Sequence, residues 1–253
     1  MGFTFYGDLL GISGYYKLSP KIAKDKLDEF YNTVFFSLSD YCNQRDDVHV
    51  HMFSDSILFY GDDSLSALEQ LQRVYVKLIH KGILLRGAIV NGKLSFQIRT
   101  ELLNFEKKLP DDDCLARAVG LESTKKGARL LIEPNLAESL LSEYPEWLTH
   151  EGYINTHGHS IMPNRNHYTG VSYESILRRI SPTPDQDSYE YLFFWICHSS
   201  LGHNDIDYEV KINDLDEIKS MLSENVSNHY GETIALLKRC NKRQNFTKKA
   251  LCM

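Results

Sequence analysis

The sequence predicts an α/β (α+β) sandwich, a mixed β-sheet flanked by helices with a C-terminal strand and helix extension. Three observations carry this. Over the first 170 residues, short apolar or aromatic runs of strand length alternate with longer runs of helical period. An early hairpin interrupts the alternation, which favours a mixed sheet over a uniform βαβ repeat. A chain of 253 residues, 42% hydrophobic and 25% charged, buries a core without disulfide or metal staples.

Each element has its own signal. Phe3-Thr4-Phe5-Tyr6-Gly7-Asp8 is a strand by its aromatic content, and Gly11 and Gly14 break it. Residues 20 to 43 open on Pro20 and set Ile22, Leu27, Phe30, Val34, Phe35 and Leu38 near the 3.6 period, an amphipathic helix with proline in its first turn. Val48 to Phe53 alternates and Ile57 to Tyr60 follows, so Ser54-Asp55-Ser56 is the turn of a hairpin with Asp55 at its tip. Asp62-Asp63-Ser64 caps a helix over about 64–81 that ends near Gly82. Ile83 to Val90 is a buried strand, and Asn91-Gly92 turns it into Leu94–Phe96. Asp111-Asp112-Asp113 puts acid at the start of a helix reaching about Lys126; Gly127 stops it, and Ala128–Ile132 returns as a strand. Residues 181–188, Ser-Pro-Thr-Pro-Asp-Gln-Asp-Ser, read as a loop and divide a domain over 1–180 from an extension over 181–253. The extension carries an aromatic strand over 189–197, a polar helix over about 214–239 and a basic, solvated tail.

Charge and cysteine usage exclude several classes. A net charge of −6 argues against a surface that coats nucleic acid, yet leaves a triphosphate open, because metal ions supply local positive charge. Cys42, Cys114, Cys197, Cys240 and Cys252 form no C-x-x-C pair, so they read as free thiols of a reducing compartment. The first residues lack a basic and then apolar leader, Tyr6 stands where a myristoylation motif wants Ser or Thr, and no apolar run spans a bilayer. The expectation is a soluble, cytoplasmic protein with no membrane or nucleic-acid partner. His150, His157, His159 and His167 match no standard ligand spacing and read as a polar loop. Glu106-Lys107-Lys108 and Lys125-Lys126 read as solvated faces.

Two segments point to chemistry. Asp8 ends the first strand and precedes a small-residue turn into a helix. Its carboxylate is a hard ligand for magnesium or manganese, and the amides of Leu10, Gly11, Ile12 and Ser13 at a helix N-terminus suit triphosphate oxygens. Asp55 sits at the hairpin tip. Taken singly, each aspartate is equally a turn or cap residue. Taken together, a hairpin beside a central first strand brings Asp55 to Asp8, and two carboxylates there make a two-ion site for in-line attack on phosphorus.

Phe5-x-x-Asp8-Leu9-Leu10-Gly11-Ile12 resembles the F-x-D-I-x-G-F stretch of class III nucleotidyl cyclases. Ser54-Asp55-Ser56-Ile57-Leu58 is similar to their G-D-A-x-M hairpin, and Leu85 to Gly92 to their R-x-G-I-x-x-G strand. Arg117 to Ser123 with Gly127 to Ile132 is similar to their dimer-side helix and the strand after it. The matches fall in order across residues 5 to 132. His51 stands where purine cyclases carry a base-reading Lys or Glu, and Ala116 and Gly120 stand where they carry a transition-state Asn and Arg.

The short chain, the R-G-A-I strand and the R-A-x-x-L-E helix most resemble the pyrimidine (uridylate/cytidylate) cyclases of the Pycsar antiphage defence system. That resemblance implies a homodimer with composite sites and a ribonucleoside triphosphate substrate, UTP or CTP. It implies Mn2+ (or Mg2+), two ions per site, held by Asp8, the Leu9 carbonyl and Asp55. The product would be a 3′,5′-cyclic UMP or CMP, sensed by a downstream effector. Arg117 of the second subunit would face the developing charge, its bland reading being a surface helix arginine. His51 and Asp113 would meet the base edge, His51 being otherwise a solvent-facing strand residue. The alternatives are an adenylate cyclase of the same fold and an inactive, nucleotide-binding cyclase-like domain.

Overall fold

The computed structural model describes residues 1–102, 105–143, 154–155, 168–169, 177–183, 186–191, 208–220 and 224–251. The chain runs β1 (Phe3–Leu9), α1 (Ile12–Leu18), α2 (Pro20–Asn43), β2 (His49–Phe53), β3 (Ser56–Gly61), α3 (Ser64–His80), β4 (Leu85–Asn91), β5 (Phe96–Leu102) and β6 (Phe105–Pro110). It continues through α4 (Cys114–Ser123), β7 (Leu130–Ile132), α5 (Pro134–Glu143), β8 (Ile154–Asn155), β9 (Tyr168–Thr169), β10 (Leu177–Thr183), β11 (Gln186–Tyr191), α6 (Tyr208–Ser220) and α7 (Glu224–Leu251). The principal sheet has the order β10-β11-β7-β4-β1-β3-β2. Among the described strands, only β4 and β7 pair in parallel, so the sheet is mixed. Among the described residues, no helix is long and apolar enough to cross a membrane.

Strand alternation gives the sheet two unlike faces. Phe3, Phe5 and Leu9 share one face with Ile57, Phe59, Leu85 and Ile89 and pack under α2 and α3, against Phe30, Val34, Leu38, Leu68 and Leu71. Phe3 and Phe59 meet edge to face at 4.8 Å. Gly87 has to be glycine here, since a Cβ would lie 2.4 Å from a Phe5 ring carbon and 2.8 Å from the Tyr75 hydroxyl. The opposite, front face carries Thr4, Tyr6 and Asp8 with Ser56, Leu58 and Tyr60 on one side and Arg86, Ala88 and Val90 on the other. Helix α4 covers part of it through Cys114 and Ala118 against Val90 and Tyr6.

The sequence reading needs four corrections. Helix α4 is shorter than the expected run to Lys126, and β5 and β6 form a separate hairpin that includes Glu106-Lys107-Lys108. The expected loop over 181–188 contributes to two paired strands, β10 and β11, and the expected boundary after residue 180 falls inside β10. Pro182 misled the loop reading: β10 is an edge strand, where a residue without an N–H is tolerated. Tyr208, Leu215, Tyr230 and Leu237 of the extension, expected to pack on the domain or follow it, join the cluster of Phe3 and Phe5. His150, His157, His159, His167, Cys197 and Cys252 lie outside the described residues.

Candidate active site

The two aspartates arrive at one corner by different routes. Asp8 occupies the last turn of the β1 ladder, opposite Ser56 on β3 and Arg86 on β4. Asp55 lies in the two-residue tip between β2 and β3, whose first residue, Ser54, adopts a left-handed φ of 52°. The tip is tied to the end of β1, since the Leu9 amide donates to the Asp55 carbonyl at 2.9 Å. Tyr31 donates to the Ser54 carbonyl at 2.9 Å and braces the tip from α2.

Around Asp8 the polar groups form a chain. The Ser56 hydroxyl donates to Asp8 Oδ1 at 3.0 Å, and the Tyr6 hydroxyl lies 3.1 Å from Ser56 Oγ. Burial raises the Asp8 pKa above the usual carboxylate range, and the negative charge of Asp55 raises it further, against the opposing effects of Ser56 and Arg86. Arg86 is itself ion-paired with the buried Glu122 of α4. Burial likewise raises the Glu122 carboxyl, with Arg86 acting against it. With Asp8, Asp55 and Glu122 ionised, one arginine faces three carboxylates, and the corner is net negative.

That electrostatic deficit is the test of whether a cation fits, and it does. Two neighbouring carboxylates that repel each other on a half-buried corner are relieved by a divalent ion. The donors are all oxygen, which selects magnesium or manganese over zinc. Among the described residues, no group of three or more His, Cys, Asp or Glu side chains could hold a metal. A cation held there would take its other ligands from backbone carbonyls and water.

The residues expected to hold nucleotide divide into three groups. In the turn, the Leu10 amide is not available to an anion, because it donates to the Leu84 carbonyl at 2.8 Å. Gly11 adopts φ +86° and starts α1, leaving the Gly11, Ile12 and Ser13 amides at that helix start. His51 shares the front face with Asp8 through the pairings His51–Leu58 and Leu58–Tyr6. It lies two strand spacings, about 10 Å, across the sheet. Its Nε2 is 3.1 Å from the Tyr60 hydroxyl, and its ring stacks with those of Phe53 and Tyr60 at 10° and 14°. Phe53, 65% exposed, extends this aromatic surface to the hairpin tip.

Arg117 and Asp113 form the third group, away from Asp8 of their own chain. Arg117 donates to the Asn91 carbonyl at 2.9 Å and to Asp113 Oδ1 at 2.8 Å, and is ion-paired with Glu133. Asn91 pairs with Phe3 and Arg86 with Asp8. Arg117 thus sits at the far end of β1, five strand residues or about 17 Å from the carboxylates. Among the described residues, Arg86 is a cation that does stand opposite Asp8. Ser56, Tyr6, Arg86 and Glu122 were not singled out as site residues from sequence. Tyr6 shares the face of Asp8 by the period of β1 itself, whereas Ser56, Arg86 and Glu122 face it only once β3, β4 and α4 are placed.

No protein-family model matches the sequence, and no curated protein matches it significantly. Solved structures do match. A bacterial light-regulated adenylyl cyclase covers 85% of this chain and 96% of its own at TM-score 0.50, with 11% identity. The guanylate cyclase domain of RhGC from Catenaria anguillulae, solved with GTP, covers 75% and 94% at TM-score 0.49 and 12% identity. The adenylyl cyclase CyaB from P. aeruginosa covers 75% and 92% at TM-score 0.47 and 13% identity. At these identities the likeness is one of fold alone: the chain folds like the light-regulated adenylyl cyclase.

Proposed function

We propose that the chain is a metal-dependent nucleotidyl cyclase that converts a ribonucleoside triphosphate, UTP ahead of CTP, to the 3′,5′-cyclic monophosphate and pyrophosphate. The observation that carries this is the convergence of Asp8 and Asp55 at one net-negative corner of a cyclase-type fold. Asp8, Asp55 and the Leu9 carbonyl hold two divalent ions, manganese or magnesium. When bound, these supply the positive charge that acidifies the ribose 3′-hydroxyl and steadies the leaving pyrophosphate. The 3′-oxygen attacks the α-phosphorus, its proton goes to solvent, and the bond to the β-phosphate bridge breaks.

The chain's own groups position the substrate. Ser56 fixes the Asp8 carboxylate, and the Gly11, Ile12 and Ser13 amides receive phosphate oxygens. The Phe53–His51–Tyr60 surface takes the base, and a histidine presents either a donor or an acceptor to the pyrimidine edge. Arg117 and Asp113 are too far to serve their own chain's aspartates, so they act in trans within a homodimer. The product works as a cytoplasmic second messenger sensed by a separate effector in antiphage defence, a reading that rests on the motif resemblance.

A second reading, an inactive nucleotide-binding domain, is favoured by Ala116 and Gly120 in the usual catalytic positions and by an Arg117 already engaged with two carboxylates. One experiment separates them. The purified protein is incubated with the four ribonucleotides and manganese, and products are resolved by mass. Cyclic UMP and CMP are expected, and both vanish in Asp8→Ala and Asp55→Ala. No cyclic product from any nucleotide establishes the inactive reading, and ATP turning over fastest overturns the pyrimidine choice. Unchanged selectivity in His51→Ala removes His51 from base recognition.

A further inference from the structure

Strand period and register set one hydroxyl against Asp8 and a second hydroxyl behind it. Ser56 stands directly opposite Asp8 in the β1–β3 ladder, and Tyr6, two residues earlier on β1, is the diagonal neighbour of Ser56 on the same front face. A tyrosine reaches its diagonal neighbour. The Tyr6 hydroxyl lies 3.1 Å from Ser56 Oγ, which lies 3.0 Å from Asp8 Oδ1. The direction of this chain follows from its protons. A serine hydroxyl carries one, and Ser56 donates it to Asp8 Oδ1, so Tyr6 is the donor in the bond between Tyr6 and Ser56. Donors aimed one after another at a carboxylate polarise each other and strengthen the last bond. The far end of the relay is held as well, because Tyr6 packs against the cluster of Val90 with Cys114 and Ala118 of α4. The cyclase hairpin pattern that residues 54–58 resemble has alanine at the position of Ser56, so the relay is built from this chain's own residues.

We propose that Tyr6 and Ser56 are positioning residues for the divalent ion at Asp8, and that they set its preference for magnesium or manganese over calcium. The relay occupies Oδ1 and keeps the carboxylate from turning, which leaves Oδ2 to meet a cation. Calcium takes a larger and looser set of oxygens and accepts both oxygens of one carboxylate, whereas magnesium demands a compact, near-octahedral set. A carboxylate that offers one oxygen in a fixed direction suits the second kind of ion, and a group that orients a ligand in this way tunes the metal without touching it. The inference deepens the cyclase reading and rests on it in taking Asp8 as a ligand of the ion.

The test uses the full chain without nucleotide and reads metal binding rather than turnover. Mn2+ is titrated by its paramagnetic resonance signal, and Ca2+ by competition with it. In Ser56→Ala the Kd for Mn2+ is expected to rise about tenfold, the usual cost of removing a group that orients a ligand, while the Kd for Ca2+ stays within about twofold. Tyr6→Phe keeps its ring and is expected to shift the preference the same way by about threefold, the worth of one neutral hydrogen bond. The double variant is expected to match Ser56→Ala within about twofold, because Tyr6 reaches Asp8 only through Ser56. Ser56→Thr keeps the hydroxyl and is expected to retain the wild-type preference. Equal losses for both ions, an unchanged Kd for Mn2+ in Ser56→Ala, or a double variant whose losses multiply overturns the inference. Should Ser56→Ala fail to fold, Tyr6→Phe decides by the same shift in preference. A wild-type chain that binds no Mn2+ overturns the cyclase reading and the inference with it, whereas normal binding with an unshifted preference in the variants overturns the inference alone.

Discussion

Asp55→Asn keeps the shape of the hairpin tip, whose contact with β1 runs through the Asp55 carbonyl, and removes one of two mutually repelling charges. Neighbouring carboxylates at an effective dielectric of 20 repel by a few kcal/mol, about 4 kcal/mol at contact distance and less as they separate. The Ser56 hydrogen bond and Arg86 offset part of this, leaving a gain of about 1–2 kcal/mol for the metal-free variant. In a chain of this size that raises Tm by about 3–6 °C. The pH dependence follows from direction alone. The Asp8 pKa is raised in the folded protein, so the unfolded chain gives up that proton first. The penalty grows as pH climbs out of the carboxylate range and is complete at neutral pH. Melting curves without metal should therefore show the variant above wild type near pH 7 and level with it in acid, where Asp8 is protonated. Saturating manganese should raise the wild-type Tm by about 5–10 °C, as expected for a ligand at a hundred times its Kd, and barely move the variant. A variant no more stable than wild type at neutral pH, with an equal response to manganese, would refute the paired-carboxylate reasoning.

Three further outcomes are expected. Gly87→Ala drives a methyl into Phe5 and the Tyr75 hydroxyl, so it should cost about 3 kcal/mol of stability by chemical unfolding; an unchanged midpoint would refute the close approach. Asp47, held down to about 2 by its bonds to Arg45, contributes stability that is present above the ordinary carboxylate range and lost as pH falls through its folded value. Asp47→Asn should remove about 1–2 kcal/mol at neutral pH and flatten the acid limb of the stability profile between about pH 4 and 2, and a parallel profile would count against it. Mixing inactive Asp8→Ala with inactive Arg117→Ala should restore part of the activity, since a mixed dimer holds one undamaged composite site; no recovery, with mixed dimers shown to form, means that Arg117 serves no site in trans.

How much of this was legible in the sequence depended on whether the signal was local. The Pro20 helix, the hairpin around Asp55 and the Asp63 cap rest on neighbours in the chain, and the structure has each where the pattern put it. The pairing of Asp8 with Asp55 was legible because a hairpin next to a first strand leaves little choice of register. The loop reading of residues 181–188 failed because proline signals a loop to any local reader, while an edge strand tolerates it. The Leu10 amide was misread for a similar reason. A helix start advertises free amides, but Leu84 arrives from a distant segment to take this one. Tyr230 had no local signal at all: a tyrosine in a polar amphipathic helix shows its burial only when the helix is packed onto the main core.

The strained electrostatics of the corner persist because the groups that hold it lie on the other face of the sheet and work by other forces. Phe3, Phe5, Phe59 and Ile89 bury one side of the three strands that carry Asp8, Ser56 and Arg86, and that burial is indifferent to charge. Gly87 lets Phe5 lie almost on the backbone of β4, which fixes the height of Arg86 opposite Asp8. Strand register then does the rest, since a slip of one residue would turn Asp8 into the apolar layer and Leu9 to the front. Apolar packing on the back thus maintains a carboxylate pair on the front that would separate if its strands were free to shift. Front-face substitutions that remove one of the two aspartate charges should cost activity and gain stability, whereas back-face substitutions should cost both.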